Sequence, residues 1–415
     1  METLYEHAQK MIANIIAENM PDTAVKNALA KHQFSGRIHM VAIGKAAWSM
    51  AKATCDFLGD RLECGIVVTK YDHAKGDLPK CRIFEAGHPV ADENSIAATR
   101  ECCKLAENLT EQDELLFLIS GGGSSLFEAP LPGITLDDVQ SITNQLLASG
   151  ADIVEMNMIR KRFSSVKAGR FAQLAAPAKV YAIVLSDVLG DRLDSIASGP
   201  AVPDDSIAND AMKVVQKYSL QLSALQSRYL AQETPKQIDN VKTEITGSVR
   251  TLCESAAQTA QKLGYKPYVL TSTMNCEAVA AGRMLASIAA DTVAGRNYFK
   301  PPCAIIVGGE TVVTIKGDGK GGRNQEIALA AAKGIADLDG VLLFSLGSDG
   351  TDGPTDAAGG IVDGQTAANL RSSGIDIDEV LAKNDSYNAL GTVNGLIKTG
   401  PTGTNVNDVA VVLVK

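Results

Sequence analysis

The sequence predicts an α/β protein with two domains: a Rossmann-like, doubly wound N-terminal domain and a second, smaller α/β domain with a mixed sheet. The chain has 415 residues, whereas single hydrophobic cores tend to divide beyond roughly 250–300 residues. Short apolar runs without polar alternation also recur between helical stretches. Such runs are typical of parallel strands that are buried on both faces, with helices as the crossovers.

The N-terminal domain is predicted to span residues 1–235. Apolar residues recur at helical spacing on both sides of Pro21, which predicts a helical hairpin at the start of the chain. Strands and helices then alternate through RIHMVAIG, GKAAWSMAKATCDFL, CGIVVTK, CRIFEAG, DENSIAATRECCKLAENL, ELLFLIS, TLDDVQSITNQLLAS and KVYAIVLSD. Right-handed crossovers would place these helices on both faces of one parallel sheet.

The second domain is predicted to span residues 236–415, after the polar stretch QETPKQIDNV. Its segment CAIIVGGETVVTIKGDGKGG contains two β-rich runs joined at Gly308-Gly309-Glu310, which predicts an antiparallel hairpin. The strands VLLFSLGSD and VAVVLV complete the domain. We expect the active site in a cleft between the two domains.

Composition excludes several classes of protein. The chain is 45% hydrophobic and 21% charged, and no apolar run approaches the ~20 residues of a membrane span. Its N-terminus lacks a signal-peptide layout, so we expect a cytoplasmic protein without a membrane partner. A net charge of −9 disfavours nucleic acid as a partner. The eight cysteines form no CxxC pair and are expected to be reduced. The oligomeric state is left open, with a homodimer among the options.

A glycine run follows one buried strand, at the sheet edge where open parallel sheets bind ligands. Residues without Cβ let the backbone approach a ligand and point N–H groups at it, so the run is a candidate phosphate cradle. A tight strand-end turn explains the glycines equally well. The candidate residues are Ser120, Gly121, Gly122, Gly123, Ser124 and Ser125.

Gly44 and Lys45 occupy a second strand-to-helix junction, where helix N-terminal amides favour anions. His39 and Ala46 stand where a Walker A motif requires glycine and Ser/Thr, so this junction is not a P-loop. The small neighbours of Lys45 leave room for a ligand, although a surface lysine is the plainer interpretation.

In GDGKGGRNQE, four glycines precede a helix that is predicted to begin at about Asn324. Lys320 and Arg323 would then lie beside the positive end of the helix, which is unfavourable unless an anion joins them. We therefore predict that Lys320, Arg323 and Asn324 bind a phosphate or a carboxylate, against the alternative of a mobile charged loop.

Carboxylates cluster after two further strands. SDGTDGPTD contains Asp349, Asp352 and Asp356, and we assign Asp349 and Asp352 to Mg²⁺, with Asp-Gly turn chemistry as the alternative. Asp187 follows KVYAIVLS and is a candidate general base toward a substrate hydroxyl. His88 lies in GHP, where we favour a role in shaping the turn.

These motifs together resemble the class II glycerate 2-kinases, a family whose members are also often called hydroxypyruvate reductases. The resemblance runs along the chain in order, through AIGKAA, GHPVAD, ISGGGSSL, LSDVLGD with IASGP, GGET, GKGGRNQE, GSDGTDGPTDAAG and TGPTGTNVND. It implies phosphorylation of D-glycerate by ATP to 2-phosphoglycerate with Mg²⁺. It also implies that Lys45, Asp187 and Arg323 are the essential charged residues.

Two other functions compete with this one. An NAD(P)H-dependent hydroxypyruvate reductase would need a dinucleotide fingerprint, but Leu126 occupies the third glycine position after Gly121 and Gly123. A metabolite-binding sensor descended from a kinase would be expected to lack Lys45, Asp187 or Arg323, and all three are present.

Overall fold

The structure is a computed structural model and describes residues 3–415. Its strands are β1 (Arg37–Ile43), β2 (Leu62–Lys70), β3 (Cys81–Ala86), β4 (Asp113–Ile119), β5 (Lys179–Leu185), β6 (Val241–Gly247), β7 (Lys266–Met274), β8 (Cys303–Gly309), β9 (Val341–Gly347), β10 (Gly359–Asp363), β11 (Leu396–Ile397) and β12 (Asp408–Val414).

Helices fill the connections between these strands. They are α1 (Leu4–Glu18), α2 (Pro21–Lys31), α3 (Ala47–Leu58), α4 (Glu93–Glu107), α5 (Gly123–Leu126), α6 (Leu136–Ala148), α7 (Ile153–Lys161), α8 (Arg170–Leu174), α9 (Ala208–Tyr218), α10 (Ala224–Leu230), α11 (Val249–Lys262), α12 (Ala278–Val293), α13 (Arg323–Gly334), α14 (Thr366–Ser372), α15 (Ile377–Ala382) and α16 (Ser386–Thr392). Within residues 3–415 no helix combines the length and the apolar character that crossing a membrane requires.

The chain forms two compact units. Ala24–Thr246 form the first, and residues up to Thr23 together with Gly247–Lys415 form the second. The division differs from the predicted boundary near residue 235 because β6 adds to the sheet of the first unit. The two helices of the predicted N-terminal hairpin also separate: α1 packs against α11 in the second unit, where the Asn19 side chain donates to Ser255 Oγ at 3.0 Å.

The first unit contains a six-stranded sheet in the order β3-β2-β1-β4-β5-β6. Strands β1 to β5 pair in parallel. This strand order defines the Rossmann-like, doubly wound fold. Alternate residues of β4 enter different cores, since Phe117 packs in one hydrophobic cluster and Leu116 and Leu118 in the other. The predicted sheet with two buried faces is therefore confirmed, and we call this part the Rossmann-like unit.

The second unit contains a mixed six-stranded sheet in the order β11-β10-β9-β12-β8-β7. β12 lies between β9 and β8 and is antiparallel to both, whereas β7 and β8 are parallel. Every residue of β8, β9 and β12 is buried, and α12 and α13 contribute to the core below them. We call this part the mixed-sheet unit.

The hairpin predicted around Gly308-Gly309-Glu310 is wrong. β8 already has β12 and β7 on its two sides, so no edge remains for the chain that follows it. Val312 instead forms an isolated parallel bridge with Glu277. After β8 the apolar residues Val312 and Ile315 are exposed, so this β-rich run does not form a strand.

Candidate active site

The ends of two central strands are tied together in the Rossmann-like unit. β1 ends at Ile43 and β4 ends at Ile119, so Lys45 and the glycine run leave the same edge of the sheet. The backbone N–H of Lys45 donates to the carbonyl of Gly121 at 2.8 Å, and the N–H of Ala46 donates to Ser120 Oγ at 3.1 Å. These bonds bring Gly44, Lys45 and the predicted phosphate cradle into one place.

Gly121 and Gly122 admit side chains from three other segments. A Cβ on Gly121 would lie 2.1 Å from Asp187 Oδ2, and a Cβ on Gly122 would lie 3.0 Å from His88 Nε2 and 3.2 Å from Lys45 Cγ. The glycines are therefore required by close approach of Asp187, His88 and Lys45. The structure thus brings Lys45 and Asp187 together at the glycine run.

His88 lies closer to this site than the sequence suggested. Burial lowers the pKa of its imidazole, and the nearby positive charge of Lys45 lowers it further. A neutral ring at physiological pH follows, able to donate one hydrogen bond and to accept another beside Gly122. The restriction imposed by Pro89 explains the turn, but it gave no indication of where the ring points.

The segment IASGP supports the glycine run. Ala197 has φ of 50° and Ser198 has φ of 61°, in the left-handed region that residues with side chains seldom occupy. Ser198 Oγ lies 3.0 Å from Ser124 Oγ, and a Cβ on Gly123 would lie 2.7 Å from Ala197 Cβ. This strained turn therefore fixes the far end of the cradle.

A buried lysine that the sequence did not single out holds α5 in place. Lys167 Nζ donates to the carbonyls of Ser124 and Phe127 at 2.7 and 3.3 Å, and it pairs with Glu128 Oε2 at 2.9 Å. Burial lowers the pKa of Lys167. No local spacing links Lys167 to the glycine run, which is why only the fold reveals this positioning role.

Arg323 is the first residue of α13 in the mixed-sheet unit. Its Nε and a terminal nitrogen donate to Asp408 Oδ2 and Oδ1 at 2.5 and 3.1 Å, and Glu310 lies at 3.6 Å. Burial opposes the charge, but the bond to Asp408 outweighs it and raises the pKa of Arg323. The sequence predicted an anion beside this helix N-terminus. Asp408 of the same chain therefore supplies part of that negative charge.

Asp352 caps the same helix. Its carboxylate accepts from the backbone N–H groups of Asn324 and Gln325 at 3.2 and 2.9 Å, and from the Gln325 amide at 3.1 Å. The Asn324 side chain is buried and accepts from Ser345 Oγ at 2.6 Å. Direct metal binding by Asp352 would require its bonds to break, and the Asn324 Nδ2 group already donates to Asp352 Oδ1 at 3.5 Å.

The glycines before α13 pack against the turn between α15 and α16. A Cβ on Gly317 would lie 2.5 Å from backbone atoms of Lys383, and one on Gly319 would lie 2.5 Å from Asp385 Cβ. The Lys320 ammonium stands 4.3 Å from the centre of the Tyr387 ring, a cation–π contact. This loop is therefore packed against the protein, and the alternative of a mobile charged loop is not supported.

Asp349 remains the more accessible of the two predicted metal ligands. It is partly exposed, and its Oδ1 accepts from the backbone N–H of Thr351 at 3.0 Å. Among the residues described, no three or more His, Cys, Asp or Glu side chains form a metal-binding cluster. A partly exposed carboxylate such as that of Asp349 is compatible with Mg²⁺ that is held mainly by phosphates and water.

Fold and site together define a class. The Rossmann-like unit joins a glycine cradle, a lysine and a carboxylate at the carboxyl ends of β1, β4 and β5, and the mixed-sheet unit holds an arginine at a helix start. Such groups bind and neutralise phosphate oxygens and accept a hydroxyl proton, as in phosphotransferases.

Comparison with known proteins makes this assignment specific. Residues 7–231 match a domain of unknown function, DUF4147, and residues 303–408 match the MOFRL family. A D-glycerate 2-kinase from Thermotoga maritima is 51% identical over 413 residues, 100% of this chain and 99% of the relative. A glycerate 2-kinase from Pyrococcus horikoshii is 43% identical and covers 92% of this chain and 88% of its own. The chain therefore belongs to the glycerate 2-kinase family.

A solved structure agrees with this assignment. The crystal structure of a glycerate kinase from Thermotoga maritima matches with a TM-score of 0.96 at 51% identity, covering 99% of each chain. Other relatives carry the name putative hydroxypyruvate reductase.

Proposed function

We propose that this protein transfers the γ-phosphoryl group of ATP to the 2-hydroxyl of D-glycerate, giving 2-phosphoglycerate and ADP. The observation that carries the proposal is the packing of Asp187 against Gly121, beside Lys45 and the glycine cradle. A carboxylate, a cation and a backbone cradle at one strand edge are the parts that transfer to a hydroxyl requires. The family membership selects glycerate as the acceptor.

The cradle and Lys45 bind phosphate in this proposal. Backbone N–H groups of residues 121–124 hold the phosphates of ATP, and the glycines of this run let the side chains of Asp187, His88 and Lys45 pack close to that backbone. The ammonium of Lys45 has no carboxylate partner at ion-pair distance within residues 3–415. Its charge is therefore available to phosphate oxygens or to the glycerate carboxylate.

Asp187 accepts the proton of the 2-hydroxyl as its oxygen attacks phosphorus. The bond from the γ-phosphorus to the bridging oxygen of ADP breaks, and the bond to the glycerate oxygen forms. Arg323 stabilises either the transferring oxygens or the glycerate carboxylate, and Lys45 takes the other. Asp408 orients the guanidinium fork for this task, and Asp352 holds the helix that carries it.

Mg²⁺ would enter with ATP, and we propose Asp349 as its protein ligand, with Asp352 as a positioning residue. When bound, the ion neutralises charge on the phosphates.

Lys320, whose ammonium lies over the Tyr387 ring, stays a candidate for phosphate binding. The cleft between domains, the cytoplasmic location and the homodimer stay predictions.

The proposal is tested with the purified chain, Mg-ATP and D-glycerate, with the product identified by its phosphorus–proton coupling in NMR. We expect phosphate on carbon 2, and Asp187→Asn should lose turnover by about 10²–10⁴-fold while it melts like the wild type. A product phosphorylated on carbon 3 would contradict the proposal. So would oxidation of NADH with hydroxypyruvate in place of ATP consumption, the result that a reductase requires.

A further inference from the structure

A second cluster of reactive side chains lies at the opposite edge of the Rossmann-like sheet. His39 and Asp113 lie near the amino ends of β1 and β4, and Cys64 lies near the amino end of β2. Gly44 lies five residue steps beyond His39 along β1, which corresponds to about 16 Å. The cluster is therefore distinct from the glycine cradle, and the proposed phosphoryl transfer does not use it.

The three side chains are connected by hydrogen bonds. His39 Nδ1 lies 3.4 Å from Cys64 Sγ, and His39 Nε2 lies 3.1 Å from Asp113 Oδ1. A carboxylate only accepts, so Nε2 carries the proton and the Nδ1 of a neutral ring accepts from the thiol. A nucleophile, a base and a group that orients the base are thus within reach of one another, the arrangement that activates catalytic thiols.

Asp113 is fixed in place from several sides. Arg37 donates to both of its oxygens at 2.8 and 3.1 Å, and Thr110 donates through its backbone N–H and its hydroxyl at 2.8 and 2.7 Å. Burial opposes ionisation, but the bonds from Thr110, Arg37 and His39 hold the pKa of Asp113 well below its usual range. The carboxylate therefore stays charged and keeps His39 in one tautomer.

The cluster lines a cavity of about 570 Å³, which is large enough for a small molecule. Cys64 is half-buried and His39 is 18% exposed, so a reagent can reach the thiol from this cavity. Cations outnumber carboxylates among the charged lining residues, which are Arg37, Lys80, Arg82, Lys104, Glu101 and Asp113. Carboxylate-bearing molecules are therefore favoured.

We propose that Cys64 is a covalent modification site, at which the His39 base and the cationic cavity direct S-thiolation by low-molecular-weight disulfides that carry carboxylates. The Cys64 proton moves to His39 Nδ1 as Sγ attacks one sulfur of the disulfide. The disulfide bond of the reagent breaks, a Cys64 Sγ–S bond forms, and the departing thiolate takes the proton from the imidazolium. A thiol and a disulfide thus yield a mixed disulfide and a thiol, with no other oxidant.

The base is needed because the resting thiol is protonated. Burial raises the pKa of Cys64, and the charge of Glu63 raises it further while Arg82 opposes them. Reactivity therefore depends on proton removal during attack, and not on a standing thiolate population. This dependence separates the proposal from simple exposure, since an exposed thiol would not require His39.

The test uses the full chain in a Cys55→Ser background, because Cys55 lies 3.7 Å from Cys81 and this contact lowers its pKa. Oxidised glutathione is the probe, and peptide mass spectrometry follows each cysteine with time. We expect Cys64 to react first, ahead of the half-buried Cys276, and His39→Asn to slow it by about 10²-fold, the lower range for a lost general base. His39→Gln provides a second removal of the base, and melting curves and phosphoryl-transfer assays check that both variants fold.

The charge preference is tested with the Arg82→Gln/Lys104→Gln double variant. It should slow the reaction of Cys64 with oxidised glutathione, but not with the neutral 2-hydroxyethyl disulfide. If Cys64 reacted with oxidised glutathione at the same rate in the wild type and in the folded His39 variants, the role of the base would be overturned. Equal reaction rates of Cys276 and Cys64 would overturn it as well. Unchanged rates with oxidised glutathione in the double variant would overturn the preference for carboxylates.

Discussion

Two glycine-rich loops in this protein have similar sequences and different physical causes. In the loop of residues 120–125, the space left by Gly121 and Gly122 is filled by the side chains of Asp187, His88 and Lys45. In the loop of residues 317–322, the space left by Gly317 and Gly319 is filled by the turn at residues 383–385. The first loop thus lies among ionisable groups, whereas Gly317 in the second loop is packed against backbone atoms of Lys383 and only its last glycine, Gly322, faces the Asp352 carboxylate.

This difference shows that a glycine run reports close approach without saying what approaches. The first loop can contribute to chemistry through its own backbone. In the proposed function, the second acts through the residue that follows it, Arg323, whose guanidinium Asp408 holds at the start of α13. Substitutions can separate these two roles.

The largest effect is expected at Arg323, the residue through which the second loop acts. Arg323→Ala should lower kcat by about 10³-fold, the range found for arginines in phosphoryl transfer. Arg323→Lys should recover only part of the lost kcat, because the point charge of an ammonium cannot replace the paired donors of a guanidinium. Steady-state kinetics with ATP and D-glycerate measure both variants. A folded Arg323→Ala with nearly wild-type kcat and KM would remove Arg323 from the site.

Stability provides the control for this substitution. The variant also leaves the buried Asp408 without its partner, so we expect a loss of about 1–3 kcal/mol in the free energy of unfolding. In Arg323→Ala/Asp408→Asn the buried charge is removed, and the melting temperature should recover while kcat stays low. Recovery of kcat in the double variant would show that the first effect was one of folding.

A smaller effect is expected when a Cβ is added to each loop. Gly121→Ala places a methyl group against the Asp187 carboxylate, the far end of a side chain, which can shift more easily than backbone. The carboxylate then leaves its position, and misplacement of a reacting group by about 1 Å costs about 10²-fold in rate. We therefore expect low kcat at a nearly unchanged melting temperature.

Gly317→Ala is the matched substitution in the second loop. Its Cβ would meet the backbone of Lys383, which cannot rotate away, so overpacking should cost about 1–3 kcal/mol in stability. The folded fraction should keep its kcat. If the two variants exchanged these signatures, with activity lost at Gly317 and stability lost at Gly121, the contrast between the loops would be wrong.

Much of the fold follows from local pattern. Every residue of β4 is buried, and its uninterrupted apolar run predicted a strand inside a doubly wound sheet. The predicted hairpin after β8 failed because pairing depends on which edges are free, and strands distant in sequence occupy both edges of β8. Likewise, β6 joined the first sheet although its sequence lies beyond the predicted domain boundary.

The candidate site likewise contains some residues that the sequence pattern singled out and others that it did not. The approach of Lys45 and Asp187 to one another was predictable because each lies two residues beyond a buried strand, at the end of the sheet where ligands bind in such folds. Lys167 and Asp408 were not assigned roles, because their partners lie 40 and 85 residues away along the chain. Such pairs have no periodicity, so only the folded chain identifies them.

The smallest expected effect concerns the pH dependence of Asp408, the anchor of Arg323. Burial raises the pKa of Asp408 to about 6 from its ordinary 3.8, although Arg323 acts in the opposite direction. The folded chain then binds this proton more readily than the unfolded chain. The contribution of Asp408 to stability therefore rises as the pH falls from about 7 to about 4, and it is lost as the pH rises through about 6. The Asp408→Asn variant has no carboxyl group that could titrate at this position. The melting temperature of the wild type minus that of the variant should therefore increase as the pH falls from about 7 to about 4. If that difference in melting temperature were independent of pH, or increased toward high pH, Asp408 would not have a raised pKa and Arg323 would be anchored differently.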